Sequence, residues 1–216
     1  DITKYKYQFY KDEESFLDPY GKRIVGRDIW GETARSEKSF YCQTISEEFD
    51  WEEDKPLNVP YCDSILYSLH VRGFTKHKSS KVKAKGTFAG LVEKIPYLKE
   101  LGITAVELMP SYEFLELEER VVENERIPMA YRSEEPVLNY WGYKEGYYYA
   151  PKSAYAALAK DPVSSFKDMV KKMHENGIEV LMQFYFPNTV SGLHIADVLR
   201  FWVCEYHIDG FHLMGD

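Results

Sequence analysis

A chain of 216 residues holds one large domain or two small ones and can bury a substantial core. Its formal charge is −8 with no long basic run, which excludes a nucleic-acid interface, and no apolar stretch approaches bilayer length, which excludes a membrane partner. Cys42, Cys62 and Cys204 show neither CxxC nor zinc spacing, so they read as reduced thiols and make cytoplasmic the default location. The chain opens at Asp1 without a methionine or a signal peptide, as expected of a piece of a longer protein. Aromatic residues make up 16% of it, enough for a large core or a carbohydrate-facing surface, with the core reading preferred.

Residues 1 to about 60 share one texture. YKYQFY alternates aromatic and polar residues as a half-buried strand does. DPYGK marks a turn at Pro19 and Gly21, and the acidic, proline-marked FDWEEDKPLNVPYCD reads as an ordered linker. From residue 64 the texture changes. SILYSLHVRGF (64–74) suits a buried strand closed by Gly73. GTFAGLVEKIPYLKELG (86–102) spaces Phe88, Leu91, Val92, Ile95, Leu98 and Leu101 as one helix that Pro96 kinks and Gly102 ends. ITAVELMP (103–110) is a second buried strand. A polar excursion at about 111–160 follows, too long for a plain loop.

SSFKDMVKKMHENG (164–177) predicts a helix with a capping box of Ser165 and Asp168 and a stop at Gly177. IEVLMQFYFP (178–187) is a third strand. HIADVLRFWVCEYH (194–207) is a helix with Ile195, Val198, Leu199 and Trp202 on one face, and GFHLM (210–214) is a fourth strand. Strands alternating with helices indicate an α/β fold with a parallel sheet, whose chemistry sits at the C-terminal strand ends.

The blocks YSLHVRGFTKHKSS, GTFAGLVEKIPYLKELGITAVELMP, NYWGY, YYAPKSAYA, FKDMVKKMHENGIEVLMQ and DGF, in that order, resemble the α-amylase superfamily of glycoside hydrolases, in its pullulanase, isoamylase and glycogen-debranching branch. The resemblance implies the first half (strands 1–4) of a TIM (β/α)8 barrel over residues 61–216. Ahead of it, residues 1–60 would be the end of a glycogen-binding-type β-sandwich domain plus linker. Half a barrel leaves strand edges that the remainder of the barrel or another copy must cover. The implied ligand is an α-glucan or oligosaccharide, with no cofactor.

Laid on the family pattern, the site is altered. Where the family ends its fourth strand in GFRFD, Gly210 and Phe211 match, His212 replaces the arginine and Met214 replaces the nucleophilic aspartate. A thioether can neither form a glycosyl ester nor stabilise an oxocarbenium ion by charge. Where the family has DVVxNH, Gln183 replaces the aspartate, Pro187 the asparagine and Asn188 the sugar-contacting histidine. The family's asparagine often helps to bind calcium, and Pro187 cannot, so no metal is expected. Scaffold positions Gly73, Gly102, Pro110, Trp141, Gly142 and Gly177 still fit. Asp216 is the rescue candidate. Two places beyond Met214, it would face the same way but roughly 6–7 Å further out, provided that the strand passes Gly215.

Tyr140, Trp141 and Tyr143 in NYWGY are candidate sugar contacts, alongside Asn188 and His212, or else a packed loop anchored by a buried tryptophan. The tyrosines of GYYYAPKSAYA read as core before platform. His70 reads as a hydrogen-bonded interior residue, and His212 as a strand histidine without an acid partner. ELEERVVENER (116–126) reads as a solvated excursion, and TKHKSSKVKAKG (75–86) as the mobile loop after the first strand. Three functions compete: an α-glucan-associated protein without hydrolysis, an active α-1,6-glucan hydrolase with a displaced nucleophile, and a purely structural assembly module.

Overall fold

The computed structural model describes residues 5–31, 40–45, 48–118, 137–157 and 161–215. The amino-terminal strands are β1 (Lys6–Tyr7), β2 (Phe9–Lys11), β3 (Glu14–Phe16), β4 (Ile24–Val25) and β5 (Tyr41–Gln43). Next come β6 (Leu66–Leu69), α1 (Val71–Lys76), α2 (Phe88–Val92), α3 (Ile95–Glu100) and β7 (Ala105–Leu108). The excursion carries β8 (Tyr112–Phe114), β9 (Leu117–Glu118), β10 (Val137–Leu138) and β11 (Gly146–Pro151). The chain then runs through α4 (Pro162–Glu175), β12 (Glu179–Phe186), α5 (Gly192–Tyr206) and β13 (Gly210–Gly215).

Strands β6, β7, β12 and β13 form one parallel sheet in chain order, with Leu66 and Glu179 both opposite Ala105 and Gly210 opposite Leu181. Parallel strands joined by helices in this order make half of a (β/α)8 barrel. Alternate side chains divide between the faces. Val106, Leu108, Val180, Met182, Phe184 and Phe186 join Leu98, Phe166, Met169, Met173 and Trp202 in the main core, between sheet and helices. A smaller core of Leu17, Ile24, Phe40, Cys42 and Ala150 ties the amino-terminal strands to β11. Among the described residues no helix is long and apolar enough to cross a membrane.

Local structure corrects several expectations. YKYQFY is two strands, because β1 pairs with β5 while β2 pairs with β3. The first barrel strand ends at Leu69, and Gly73 lies inside α1, where a Cβ would stand 2.8 Å from Tyr140 Oη. Residues 86–102 form two short helices, since Pro96 takes the first turn of α3, where its missing N–H costs nothing. Helix α4 is capped by Asp161, whose carboxylate accepts from Ser164 N at 2.8 Å, with Pro162 as its first residue. Ser165 and Asp168 therefore form no capping box. The loop after the first strand is pinned by Gly86 N–H to Thr75 Oγ1 and by Lys83 and Ala84 N–H to the Glu93 carboxylate.

The excursion is anchored by buried charge. Lys152, with no exposed side-chain area, sits 2.6 Å from Glu113 Oε1 and 2.5 Å from Glu116 Oε1. Arg27 Nε lies 3.2 Å from Glu113, and Ser153 N–H donates to the other carboxylate oxygen. Burial pushes the Glu113 carboxyl up, but Lys152 and Arg27 outweigh it and hold it below the usual range. Glu116 is thus buried, not part of a solvated run, and residues 119–126 lie outside the described residues. Tyr148, Tyr149 and Tyr155 are core. Replacing Lys152 with Met removes the cation shared by two buried carboxylates, and urea unfolding should show a loss of about 3–5 kcal/mol. A loss within about 0.5 kcal/mol, the range of ordinary surface substitutions, would contradict this anchoring role.

Candidate functional site at the carboxyl end of the sheet

On the inner face of the sheet, Leu66 stands opposite Ala105, Leu181 stands opposite Glu107 and Gly210, and the positions nearer the carboxyl end are polar. There Ser68 stands opposite Glu107, and Gln183 opposite His212. Tyr143 Oη donates to Gln183 Oε1 at 2.6 Å, and Gln183 Nε2 donates to Ser68 Oγ at 3.2 Å. Glu107 receives the side chains of Ser68, Gln183 and His212, with His212 Nδ1 at 2.8 Å. An ionised carboxylate only accepts, so the network assigns the Nδ1 hydrogen to His212 and leaves Nε2 outside the pair.

Burial of Glu107 works to raise its pKa, but hydrogen bonds from Ser68, Gln183 and His212 prevail and hold it below the usual carboxylate value. Burial and the Glu107 charge together push the Tyr143 phenol up, so it stays a donor. The expectation that His212 lacks an acid partner is corrected: Glu107 is that partner. Sequence reasoning passed over Glu107 because it read ITAVELMP as a plain buried strand. A single acid at an inward position of an apolar strand was the available signal, since a buried charge demands partners.

Met214 follows His212 on the same strand face, half-buried and opposite Tyr185. Strand β13 continues through Gly215, and Asp216 lies outside the described residues. Asn188 is exposed in the turn where Val190 N–H donates to Pro187 O, and among the described residues no hydrogen bond joins it to the Glu107 network. Pro187 brings neither an N–H nor a side-chain oxygen. Among the described residues no group of three or more His, Cys, Asp or Glu could hold a metal ion.

The NYWGY loop reaches this layer through Tyr143. Asn139 shapes it, accepting from Gly142 N–H and donating to Leu115 O. Gly142, at φ +80°, passes so close to Phe114 that a Cβ would sit 2.4 Å from the ring. The loop's anchor is Tyr140, which stacks on His70 at 4.5 Å, whereas Trp141 is 52% exposed and thus not the buried anchor expected. His70 is hydrogen-bonded and buried as expected, but it stands just past the strand as the cap of α1. It accepts from Gly73 N–H and lies 2.9 Å from Tyr140 O, and burial lowers its pKa below the ordinary histidine value.

A retaining glycosidase needs two carboxyl groups across the scissile bond. Among the described residues this network holds one, Glu107, already occupied by three donors.

A catalytic-domain model of the alpha-amylase family matches residues 69–194. Isoamylase 1, chloroplastic, of Arabidopsis thaliana is 32% identical, over 94% of this chain and 32% of its own length. The glycogen operon protein GlgX homolog of Haemophilus influenzae is 31% identical, over 94% of this chain and 38% of its own length. The chain thus spans about a third of the curated relatives it matches. The Arabidopsis match runs over 262 aligned positions, more than this chain supplies, so that relative carries several tens of residues absent here. A pullulanase from Paenibacillus barengoltzii, solved with maltohexaose and alpha-cyclodextrin, superposes with a TM-score of 0.69 at 23% identity, covering 96% of this chain and 38% of that one.

The Glu107 network has a measurable signature. Because the folded pKa is depressed, its stabilisation is complete above the unfolded carboxyl value and is lost as pH falls through the folded one. Replacing His212 with Ala should raise the Glu107 titration midpoint, read from its side-chain carboxyl carbon by NMR. An unchanged midpoint would contradict the pairing.

Proposed function

The chain belongs to the alpha-amylase family, and from that premise we propose that it binds α-glucan at the carboxyl mouth of the sheet without hydrolysing it, serving binding, scaffolding or regulation. The observation that carries this reading is Met214 in the fourth-strand position beyond His212, above a layer whose one carboxylate is fully engaged. Gln183, bonded to Tyr143, stands where a charged family residue would be and supplies hydrogen bonds only. Exposed Trp141 and Tyr143, with His212 and Asn188, are the proposed sugar contacts, while Tyr140 positions the loop. The glucan assignment draws support from relatives named isoamylase and from a structural neighbour solved with maltohexaose.

In the same reading, residues 1–60 are the end of a sandwich domain plus linker and 61–216 the barrel portion. The exposed Leu66 and Leu213 of the outer strands are covered by further barrel or another copy. Hydrolysis through Asp216 and a purely structural role are the competing outcomes. The full-length protein should be retarded in gels containing glycogen or pullulan and release no reducing sugar. Tyr143→Ala should weaken retardation about tenfold, or about 1.4 kcal/mol. Met214→Asp alone should stay inactive, because Gln183, His212 and Asn188 still stand in place of the neighbours that would serve a nucleophile. Sugar release by the unmodified protein would overturn the reading and send attention to Asp216. Unretarded migration would leave the assembly role.

A further inference from the structure

Helix α4 carries a second stripe besides its apolar one. Lys167, Lys171 and His174 follow at i, i+4 and i+7, the spacing of one helix face, yet all three are buried. Residues 49–59 cover them. Lys171 Nζ binds Glu52 Oε1 and Asp50 O, both at 2.8 Å, and Lys167 pairs with Glu205 from α5. His174 lies between two acids. Its Nδ1 is 2.9 Å from Asp54 Oδ1 on the covering segment, and its Nε2 is 2.9 Å from Asp209 Oδ2 at the foot of β13. The other Asp54 oxygen meets His207 Nδ1 at 2.6 Å, and the His207 ring stacks on Trp51 with centroids 3.8 Å apart.

We propose that residues 50–59 are latched to the base of the barrel by the imidazolium proton of His174, a clasp that holds at neutral and mildly acidic pH and loosens as the solution turns alkaline. Both ring nitrogens face carboxylate oxygens that have no hydrogen to give, so both must carry one, and only the cation does. His207 engages one nitrogen and is satisfied in its neutral form. Asp209 is fixed in the sheet by Val180 N–H at 2.7 Å, so Asp54 is the partner free to leave. The other charged groups around His174 do not replace the proton. Lys171 is bound to Glu52, Glu175 to Lys172, and Glu179 accepts Val59 N–H, while Glu53 and Lys55 line the hollow beside it.

Burial alone would lower the His174 pKa, but Asp209 and Asp54 outweigh it and hold it above the ordinary histidine value. The stabilisation is therefore complete below the unfolded value and lost as pH rises through the folded one. This inference is independent of glucan binding. Hydrogen exchange of residues 49–59 in the full chain, corrected for intrinsic rates, should show protection about tenfold lower at pH 9 than at pH 6. His174→Gln should remove that dependence, leaving low protection throughout. His207→Phe, which keeps an aromatic ring against Trp51, should retain it. Equal protection at both pH values, a dependence surviving His174→Gln, or one abolished by His207→Phe would overturn the clasp. Should His174→Gln fail to fold, the ring-nitrogen NMR shifts of the unmodified protein decide, since a neutral His174 at pH 7 overturns it as well.

Discussion

A strand sends successive side chains to opposite faces, and this two-residue alternation governs everything else in the molecule. On β12 it gives Val180, Met182, Phe184 and Phe186 to the helices and Leu181, Gln183 and Tyr185 to the inside. The outer set buries enough aromatic and branched surface to hold α4 and α5 against the sheet. The inner set is free to be chemical. With its outer face already packed, β7 can place an acid at Glu107 without breaking the core, provided that neighbouring strands supply donors. Ser68, Gln183 and His212 do so from three different strands, so Glu107 also ties the sheet together across its width.

The same alternation makes Met214 informative. It shares the inner face with His212 and Gly210 and therefore points where a fourth-strand nucleophile would point. A shift of one residue would have turned it outward, but the register with β12 runs unbroken from Gly210 to Gly215. Met214 thus holds the inward place with a thioether. In the proposed reading, Gln183, His212 and Asn188 likewise stand in for the neighbours of a nucleophile, while the opposite face of the strands is packed in the core. This contrast underlies the proposal that binding, and not bond cleavage, is what the inner face retains.

Much of this organisation was legible in the sequence, for physical reasons. Helices α4 and α5 and strands β7, β12 and β13 fall where their apolar periodicity puts them, because burial of one face is a local property of the pattern. Features that depend on distant partners were not legible. Asp161 displaced Ser165 as cap because Pro162 fixed the first turn. Pro96 began a helix and did not bend one. Glu116 read as part of a solvated run, since nothing local reveals that Lys152 neutralises it in the interior. His212 looked solitary because its acid lies 105 positions away in the chain.

The two histidine–acid clusters show why partner geometry outranks residue identity. His212 offers one nitrogen to one carboxylate, so either of its charge states satisfies the pair, and the remaining nitrogen can meet a hydroxyl as donor or acceptor. His174 has no such latitude. With an aspartate at each ring nitrogen, the neutral ring leaves one carboxylate facing a lone pair in a place with little water to screen the repulsion. One histidine is therefore built for adaptable contact at the mouth of the sheet, the other for a charge-dependent grip at its base. The distinction follows from counting hydrogens against acceptors, and neither sequence window, GFHLM nor KKMHENG, contains it.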